Sequence, residues 1–303
     1  MKTFRVFLPI YNELIEKLSK GRGYGKKKSI RKILKFFDEL FRTDKVVVNG
    51  NLMYLPKKGF SEYSTKGIYG KLDTMIVEKL VNSGDYVIDI GAAIGYFTLI
   101  LARKVGKNGL VISFEPKGDR YRLLEKNTHV NKYNNVKLEQ KAILSKDFQS
   151  GFFAEQNEIA GLRYFSDKES TKQKNELLST DVITVDLDEY LKNQKILQKI
   201  SFIKIDVDGP ELSILQSSQE LLQNNNLKIF IEWDQDASKT CGCEPSEMID
   251  ILLRNDFKIF YPNHEKNKYF QISKEELLKS KSNNTINLVC VKNIDSLEKT
   301  GFL

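Results

Sequence analysis

Between residues 86 and 292 the chain keeps repeating one alternation, a short apolar run followed by a helical stretch. The runs YVIDI (86–90), LVISFE (110–115), VKLEQKAIL (136–144), SFIKID (201–206), KIFIEW (228–233), KIFY (258–261) and NLVCVK (287–292) read as strands. Helical periodicity at 72–81, 96–104, 118–133, 211–223 and 245–255 precedes or separates most of them. Apolar strands alternating with helices bury their side chains in a parallel sheet covered on both faces, so the pattern predicts a doubly wound α/β fold. Only a helical turn near Lys274 to Leu278 fits between the last two strands, and an antiparallel final strand is expected. A segment at 147–184, with strand-like GFFAE (151–155) and VITVDL (182–187) around a polar loop, interrupts the alternation.

Upstream the pattern differs. Residues 5–19 and 28–42 read as amphipathic helices, the second with Ile30, Leu34, Phe37 and Phe41 on one side. Asn49-Gly50 between two apolar runs is a hairpin signal, because both residues tolerate the positive φ of a tight primed turn. Two regions are therefore expected, a basic helical and β-hairpin extension over 1–60 and the α/β domain over 61–303. Between Lys20 and Lys35 there are eight basic residues and no acid, an excess equal to the whole net charge of +8. This reads as the solvated face of a docked helix, with peripheral contact to an anionic surface as the functional alternative. It lacks the interleaved aromatics of a single-strand binding platform, so nucleic acid is not favoured.

Composition closes other classes. With 41% hydrophobic and 29% charged residues the chain is neither disordered nor low-complexity. Asn12, Glu13 and Glu16 break the N-terminal apolar run, so no transmembrane segment or secretory signal is expected. Three cysteines make an odd count that fits a reducing compartment, and a cytoplasmic location is expected.

In open α/β sheets ligands bind beyond the carboxyl ends of the strands. The first strand runs into Asp89-Ile90-Gly91-Ala92-Ala93-Ile94-Gly95-Tyr96, where glycine lets the chain turn sharply and approach a ligand. The second ends in Phe114-Glu115-Pro116, and Glu115 lies 24 residues beyond Gly91, a spacing suited to accepting ribose hydroxyls. Together they point to an adenosyl cofactor. The spacing is not G-x-G-x-x-G, and Asp89 would oppose a diphosphate but welcome an ammonium, so S-adenosyl-L-methionine fits better than a nicotinamide dinucleotide.

Other strand ends supply candidates for chemistry. Lys204, Asp206 and Asp208 share one side of their strand by its period of two, so the lysine can keep the carboxylates ionised. Asp206 is the first choice of general base and His264, after the sixth strand, the alternative. Asp208-Gly-Pro-Glu211 also reads as a helix capping box. Glu232, Trp233 and Asp234 should line the same rim as acceptor contacts, an oxygen-ligand role for a divalent metal being the other reading. Cys241, Cys243 and Cys290 have no fourth ligand, and no metal site is assigned.

The segments 89–98 and 114–116, Lys141-Ala142, Thr184-Val185-Asp186-Leu187-Asp188-Glu189-Tyr190-Leu191 and Ile203-Lys204-Ile205-Asp206-Val207-Asp208-Gly209-Pro210-Glu211 fall in the order and rough spacing of the FkbM-type S-adenosylmethionine-dependent methyltransferases, which this chain resembles over residues 72–292. It departs from that pattern at Ala93, usually Asn, at Asp208, usually Glu, and at Pro210, usually Ala. The resemblance implies a seven-stranded, Rossmann-like methyltransferase sheet and O-methylation of a hydroxyl, commonly on a sugar or polyketide-like acceptor. Carried over by motif, Asp89 and Gly91 would hold the methionine portion of the cofactor, with Ala92, Gly95 and Tyr96 as further candidate cofactor contacts. Glu115 would hold the ribose hydroxyls and the Lys141-Ala142 segment the adenine edge, while Asp206 would face the transferred methyl and the acceptor. Pro116 is a further candidate cofactor contact and Asp208 a further candidate acceptor contact. The expected function is methyl transfer to a saccharide or glycoconjugate hydroxyl. The alternatives are an RNA ribose methyltransferase or RNA-binding protein using the basic helices, and a nicotinamide-dependent oxidoreductase.

Overall fold

The computed structural model describes residues 43–57, 63, 70–148, 152–155, 162–165, 179–180, 182–280 and 285–303. The two expected N-terminal helices, with the basic stretch from Lys20 to Lys35, lie outside them. Contacts divide the chain into two units, Met1–Lys71 and Leu72–Leu303. In the first, β1 (Lys45–Val48) and β2 (Asn51–Tyr54) form the expected hairpin. Asn49 and Gly50 have φ of 48° and 77°, the two positive values that a primed turn requires.

The second unit begins with α1 (Lys71–Leu80), whose Leu72, Ile76, Val77 and Leu80 are buried at helical spacing. Then follow β3 (Tyr86–Ile90), α2 (Tyr96–Val105), β4 (Leu110–Phe114), α3 (Gly118–Val130) and β5 (Val136–Glu139). The stretch 136–144, expected as one strand, breaks after Glu139. The chain leaves the edge of β4 there, and β6 (Ala142–Ile143) pairs in parallel with β10 (Thr184–Val185) in a separate small sheet. Between them β7 (Phe152–Glu155), β8 (Leu162–Phe165) and β9 (Ser179–Thr180) make a three-stranded antiparallel sheet. The strand expected at 182–187 is cut to β10 because Asp186 caps α4 (Leu187–Asn193), its carboxylate accepting from Glu189 N.

The remaining elements are β11 (Ile200–Ile205), α5 (Glu211–Gln216), β12 (Lys228–Trp233), α6 (Gln235–Thr240), α7 (Pro245–Arg254), β13 (Lys258–Asn263), β14 (Lys268–Gln271), α8 (Lys274–Lys279), β15 (Ile286–Val291) and α9 (Asp295–Glu298). The main sheet has the order β14-β13-β15-β12-β11-β3-β4-β5. Strands β12, β11, β3, β4 and β5 are parallel, and β15 is antiparallel between β12 and β13, as expected. The seven expected strands are joined by an eighth, β14, which hydrogen-bonds antiparallel to the edge of β13. Of KYFQ only Tyr269 is buried, too weak an alternation to read as a strand from sequence.

The order reverses at β3. The chain moves outward one way through β4 and β5 and the other way through β11 and β12. Right-handed crossovers then put α2 and α3 on one face and α5 and α7 on the other. The carboxyl ends of β3 and β11 flank this switch point, where a doubly wound sheet opens a crevice.

Candidate functional site

A cleft of about 570 Å³, counting its open mouth, lies at that switch point. Gly91, Glu115, Pro116, Lys141, Ala142, Asp206 and Asp208 line it, so seven of the residues predicted from sequence converge there from four strand ends. Phe114, Ile143, Leu144 and Ile214 give it an apolar wall.

Its floor is the turn after β3. The N–H groups of Gly91 and Ala92 both donate to Phe114 O at 3.0 Å, which ties the turn to the end of β4. Gly91 has φ +77°, and a Cβ there would stand 1.8 Å from the carbonyl oxygen of Asp206. Only glycine lets β3 and β11 end this close together. Gly95, with φ +98°, starts α2, where a Cβ would meet Leu124 Cδ1 at 2.9 Å. Ala93 takes φ 50°, a left-handed value that Asn tolerates better than Ala.

Glu115 directly follows β4 and is 4% exposed. Its Oε2 accepts from Ala93 N at 2.9 Å and its Oε1 from Lys117 N at 2.8 Å. Burial pushes the carboxyl above its ordinary value, while Arg120 and these two N–H donors pull it back. Each oxygen keeps a further lone pair for a ligand hydroxyl.

Asp89 lies behind the cleft and is fully buried. Thr98 Oγ1 donates to its Oδ2 at 2.7 Å and Lys204 Nζ stands 3.3 Å from Oδ1. A direct Asp89 contact with a cofactor ammonium, expected from sequence, is not what this arrangement offers, because Lys204 already occupies that place. Lys204, 2% exposed, also stands 3.4 Å from Asp206 Oδ2 and donates to Gly91 O at 3.3 Å. Burial would lower the ammonium, but Asp206 and Asp89 overcome it and hold Lys204 above its usual range. One buried cation thus ties the floor of the cleft to the carboxylate at its rim. Ala92 and Tyr96 do not line the cleft. The Tyr96 hydroxyl is 2.8 Å from Thr74 Oγ1 and its ring packs edge-on against Phe97.

After β11 the chain turns through Asp208, whose φ is +61°, and Gly209. The capping box read into Asp208 and Glu211 does not form, since Pro210 is the N-cap of α5 and no side chain caps it. Glu211 reaches back instead, its Oε1 accepting from Val207 N at 3.2 Å and Gly209 N at 3.1 Å, and Glu232 Oε2 accepts from Asp208 N at 3.3 Å. Burial pushes Glu211 up to about 7, with Asp206 adding to the shift. Burial, then Asp206, Glu211 and Asp208, hold Glu232 well above its ordinary value. A carboxyl raised in the folded state stabilises the protein fully below its unfolded value, here near 4.5, and loses that contribution as pH climbs through the folded value near 7. The melting temperature is therefore expected to fall over this window, and calorimetry on Glu211→Gln should show a shallower slope. A slope equal to wild type would remove Glu211 as its source.

Three predicted acceptor residues stand away from the cleft. Trp233 is 2% exposed in the core, and Glu232 underpins the loop from behind. Asp234 caps α6 by accepting from Asp236 N and Ala237 N, while its other oxygen accepts from Thr285 Oγ1 at 2.7 Å. A turn-forming acid at a strand end is equally a cap, and the unrecognised α6 claims this one. Cys241 is the C-cap of α6, and its Sγ lies where a Cβ on Gly209 would meet it at 2.3 Å. Cys241, Cys243 and Cys290 are buried, and none of the three is in a disulfide. His264 sits exposed in the β13–β14 turn and does not line the cleft.

Sequence reasoning missed a further buried carboxylate. Asp73, in the first turn of α1, is 8% exposed and accepts from Tyr269 OH and Asn287 Nδ2, both at 3.2 Å. Burial raises it, the two hydrogen bonds and His264 oppose, and Asp206 adds to the rise. Its partners lie 196 and 214 residues away, and no local signal announces them. Among the described residues no group of three or more His, Cys, Asp or Glu side chains could hold a metal ion, and no helix is long and apolar enough to cross a membrane.

The model of the methyltransferase FkbM domain matches residues 89–259, which include the cleft floor, Glu115, Lys204 and Asp206. A second model, protein-L-isoaspartate(D-aspartate) O-methyltransferase, matches residues 12–152, less than half of the chain. No curated protein matches. Among solved structures, an S-adenosylmethionine-dependent O-methyltransferase from Thermotoga maritima is 15% identical, with TM-score 0.40 over 74% of this chain and 66% of its own. A methyltransferase FkbM from Methylobacillus flagellatus is 14% identical, with TM-score 0.37 over 69% of this chain and 44% of its own. An rRNA methylase from Streptococcus thermophilus is 12% identical, with TM-score 0.41 over 72% and 92%. At this level such likenesses carry nothing about function. The FkbM model spans more than half of the chain, and the protein belongs to that methyltransferase family, whose methyl donor is S-adenosylmethionine.

Proposed function

We propose that the protein transfers a methyl group from S-adenosylmethionine to a hydroxyl oxygen of a saccharide or glycoconjugate. The observation that carries this reading is Asp206, a partly exposed carboxylate lining the same cleft as Gly91 and Glu115 and paired beneath by buried Lys204. In this reading the Gly91 turn and Glu115 hold the nucleoside, with Pro116, Lys141 and Ala142 along its base. When bound, the sulfonium would supply an electrophilic methyl carbon that the acceptor oxygen attacks in line, the S–CH3 bond breaking as S-adenosylhomocysteine leaves as a neutral thioether. The chain's own residues position the acceptor, exclude water and take the proton that the attacking hydroxyl loses. Asp206 takes that proton, and Lys204 holds the carboxylate in place.

Support for a hydroxylated acceptor comes from the polarity of the rim. Asp206 and Asp208 present hydrogen-bond acceptors, Glu232 lies behind them, and the buried cation is already balanced by two aspartates. Hydroxyls can donate to such a surface, whereas a phosphate backbone would be repelled by it. The same polarity speaks against the RNA alternative, and the family's donor sets aside the nicotinamide one.

The test is transfer of isotopically labelled methyl from S-adenosylmethionine to polysaccharide, glycolipid, RNA and protein fractions of the source organism. Label in a saccharide-bearing fraction is expected, and label confined to RNA or protein would overturn the proposal. Asp206→Asn should lower turnover by about 10²–10⁴-fold while keeping affinity for S-adenosylhomocysteine within about twofold. Unchanged turnover would take the proton-accepting role away from Asp206.

A further inference from the structure

We propose that Tyr190 is a positioning residue for the base of the cofactor: through Glu139 it fixes the Lys141 ammonium at the cleft wall, where that ammonium donates a hydrogen bond to a ring nitrogen of adenine. The inference rests on assigning the cleft to S-adenosylmethionine. Lys137 and Glu139 lie two apart on β5 and so on one side of it, Tyr190 comes from α4, and Lys141 lines the cleft where the chain leaves the sheet edge. Tyr190 is 8% exposed, and its ring packs edge-on against Phe114 of the cleft wall with centroids 5.2 Å apart. Its hydroxyl donates to Glu139 Oε1 at 2.7 Å, and the other oxygen, Oε2, accepts from Lys141 Nζ at 2.6 Å. Lys137 Nζ stands 3.3 Å from Oε1 and donates to Gln194 Oε1 at 2.8 Å. The Lys137 and Lys141 ammoniums lie 5.1 and 5.6 Å from the centre of the Tyr190 ring, within range of its π-face.

A lysine head on a flexible four-carbon stem loses entropy when a ligand has to fix it, and an anchor already in place removes that cost. Glu139 is the anchor, and the Tyr190 hydroxyl keeps it turned toward Lys141. Burial raises the Glu139 carboxyl, but the hydrogen bonds from Lys141 and Tyr190 outweigh it and hold the group below its ordinary value, so the anchor stays charged. The bond to Glu139 engages one N–H of the Lys141 ammonium and leaves the others for a ligand. The backbone beside it offers less to a base. Ala142 N already donates to Ile183 O at 2.9 Å, Leu144 N donates to Val185 O at 3.1 Å, and Pro116 has no N–H.

Calorimetric titration with S-adenosylhomocysteine and with its analogues in which N1, N3 or N7 of the base is replaced by C–H tests this. Wild type should bind one of the analogues about tenfold more weakly than the parent, as expected for loss of a hydrogen bond from a charged donor. Lys141→Met should bind the parent and that analogue alike. Tyr190→Phe keeps the ring against Phe114 and loses only the phenol donor, so its preference should drop to about threefold or less, and adding it to Lys141→Met should change nothing further. Equal binding of the parent and every analogue by wild type, or an unchanged preference in Tyr190→Phe, would overturn the inference and leave the cofactor site standing. So would a preference that survives Lys141→Met, which would hand the contact to another donor on the wall such as Arg120. No binding heat from wild type with S-adenosylhomocysteine would overturn the cofactor site itself, and the role of Tyr190 with it.

Discussion

Gly91→Ala is expected to lose about 4 kcal/mol of stability or more and to stop binding S-adenosylhomocysteine. The added methyl group would lie 1.8 Å from the Asp206 carbonyl oxygen and 2.8 Å from its carbon, backbone atoms that cannot swing aside. Asp206 N donates to Ile90 O at 3.1 Å and Gly91 N to Phe114 O at 3.0 Å, so relieving the clash means unpairing the two central strands at the switch point. Overpacking of this kind costs about 3 kcal/mol or more, and φ of +77° adds about 1 kcal/mol for any residue with a side chain. Gly84→Ala separates the two terms. Its φ is +88°, yet nothing lies within 4 Å of the new Cβ, so its cost should stay near 1 kcal/mol. Urea unfolding of both variants provides the measurement, and equal midpoints would show that contact with Asp206 is not what makes position 91 glycine.

Lys204→Met should produce the second large effect, a loss of about 3–5 kcal/mol at neutral pH. Methionine fills similar volume, so the cost is electrostatic. Asp89, fully buried, and Asp206 would face each other without the cation that lies 3.3 and 3.4 Å from them. An uncompensated buried carboxylate is relieved by taking a proton, so the deficit should shrink as pH falls toward about 4. Adding Asp89→Asn should recover part of the stability at neutral pH, because it removes the charge that was stranded. Denaturant midpoints at two pH values decide it. A deficit independent of pH and untouched by the second substitution would make Lys204 a packing residue.

The polarity of the cleft follows from how few charges the fold lets stand alone. Lys204 is shared between floor and rim, Glu211 and Glu232 each give a carboxylate oxygen to the loop after β11, and Asp73 is clasped by Tyr269 and Asn287. Several side chains that read as ligand contacts in one dimension are spent on holding the backbone that makes the contacts. Asp234 is the plainest example, an acid at a strand end whose carboxylate is taken by the N-terminus of α6 and by Thr285.

The amino-acid order alone determined the layered sheet, the hairpin at Asn49-Gly50 and the cleft partners Gly91, Glu115 and Asp206. Each of these rests on a local rule, namely period, turn chemistry, or the position of a residue at the carboxyl end of a strand. Only the tertiary structure decided that Asp89 is covered by Lys204, that Glu211 braces a loop instead of capping a helix, and that β14 adds an edge strand. It alone brought Asp73 from α1 to Asn287 on β15. Those outcomes depend on pairings between residues up to 214 positions apart, chosen by which buried charge finds a partner, and no window of sequence contains both members.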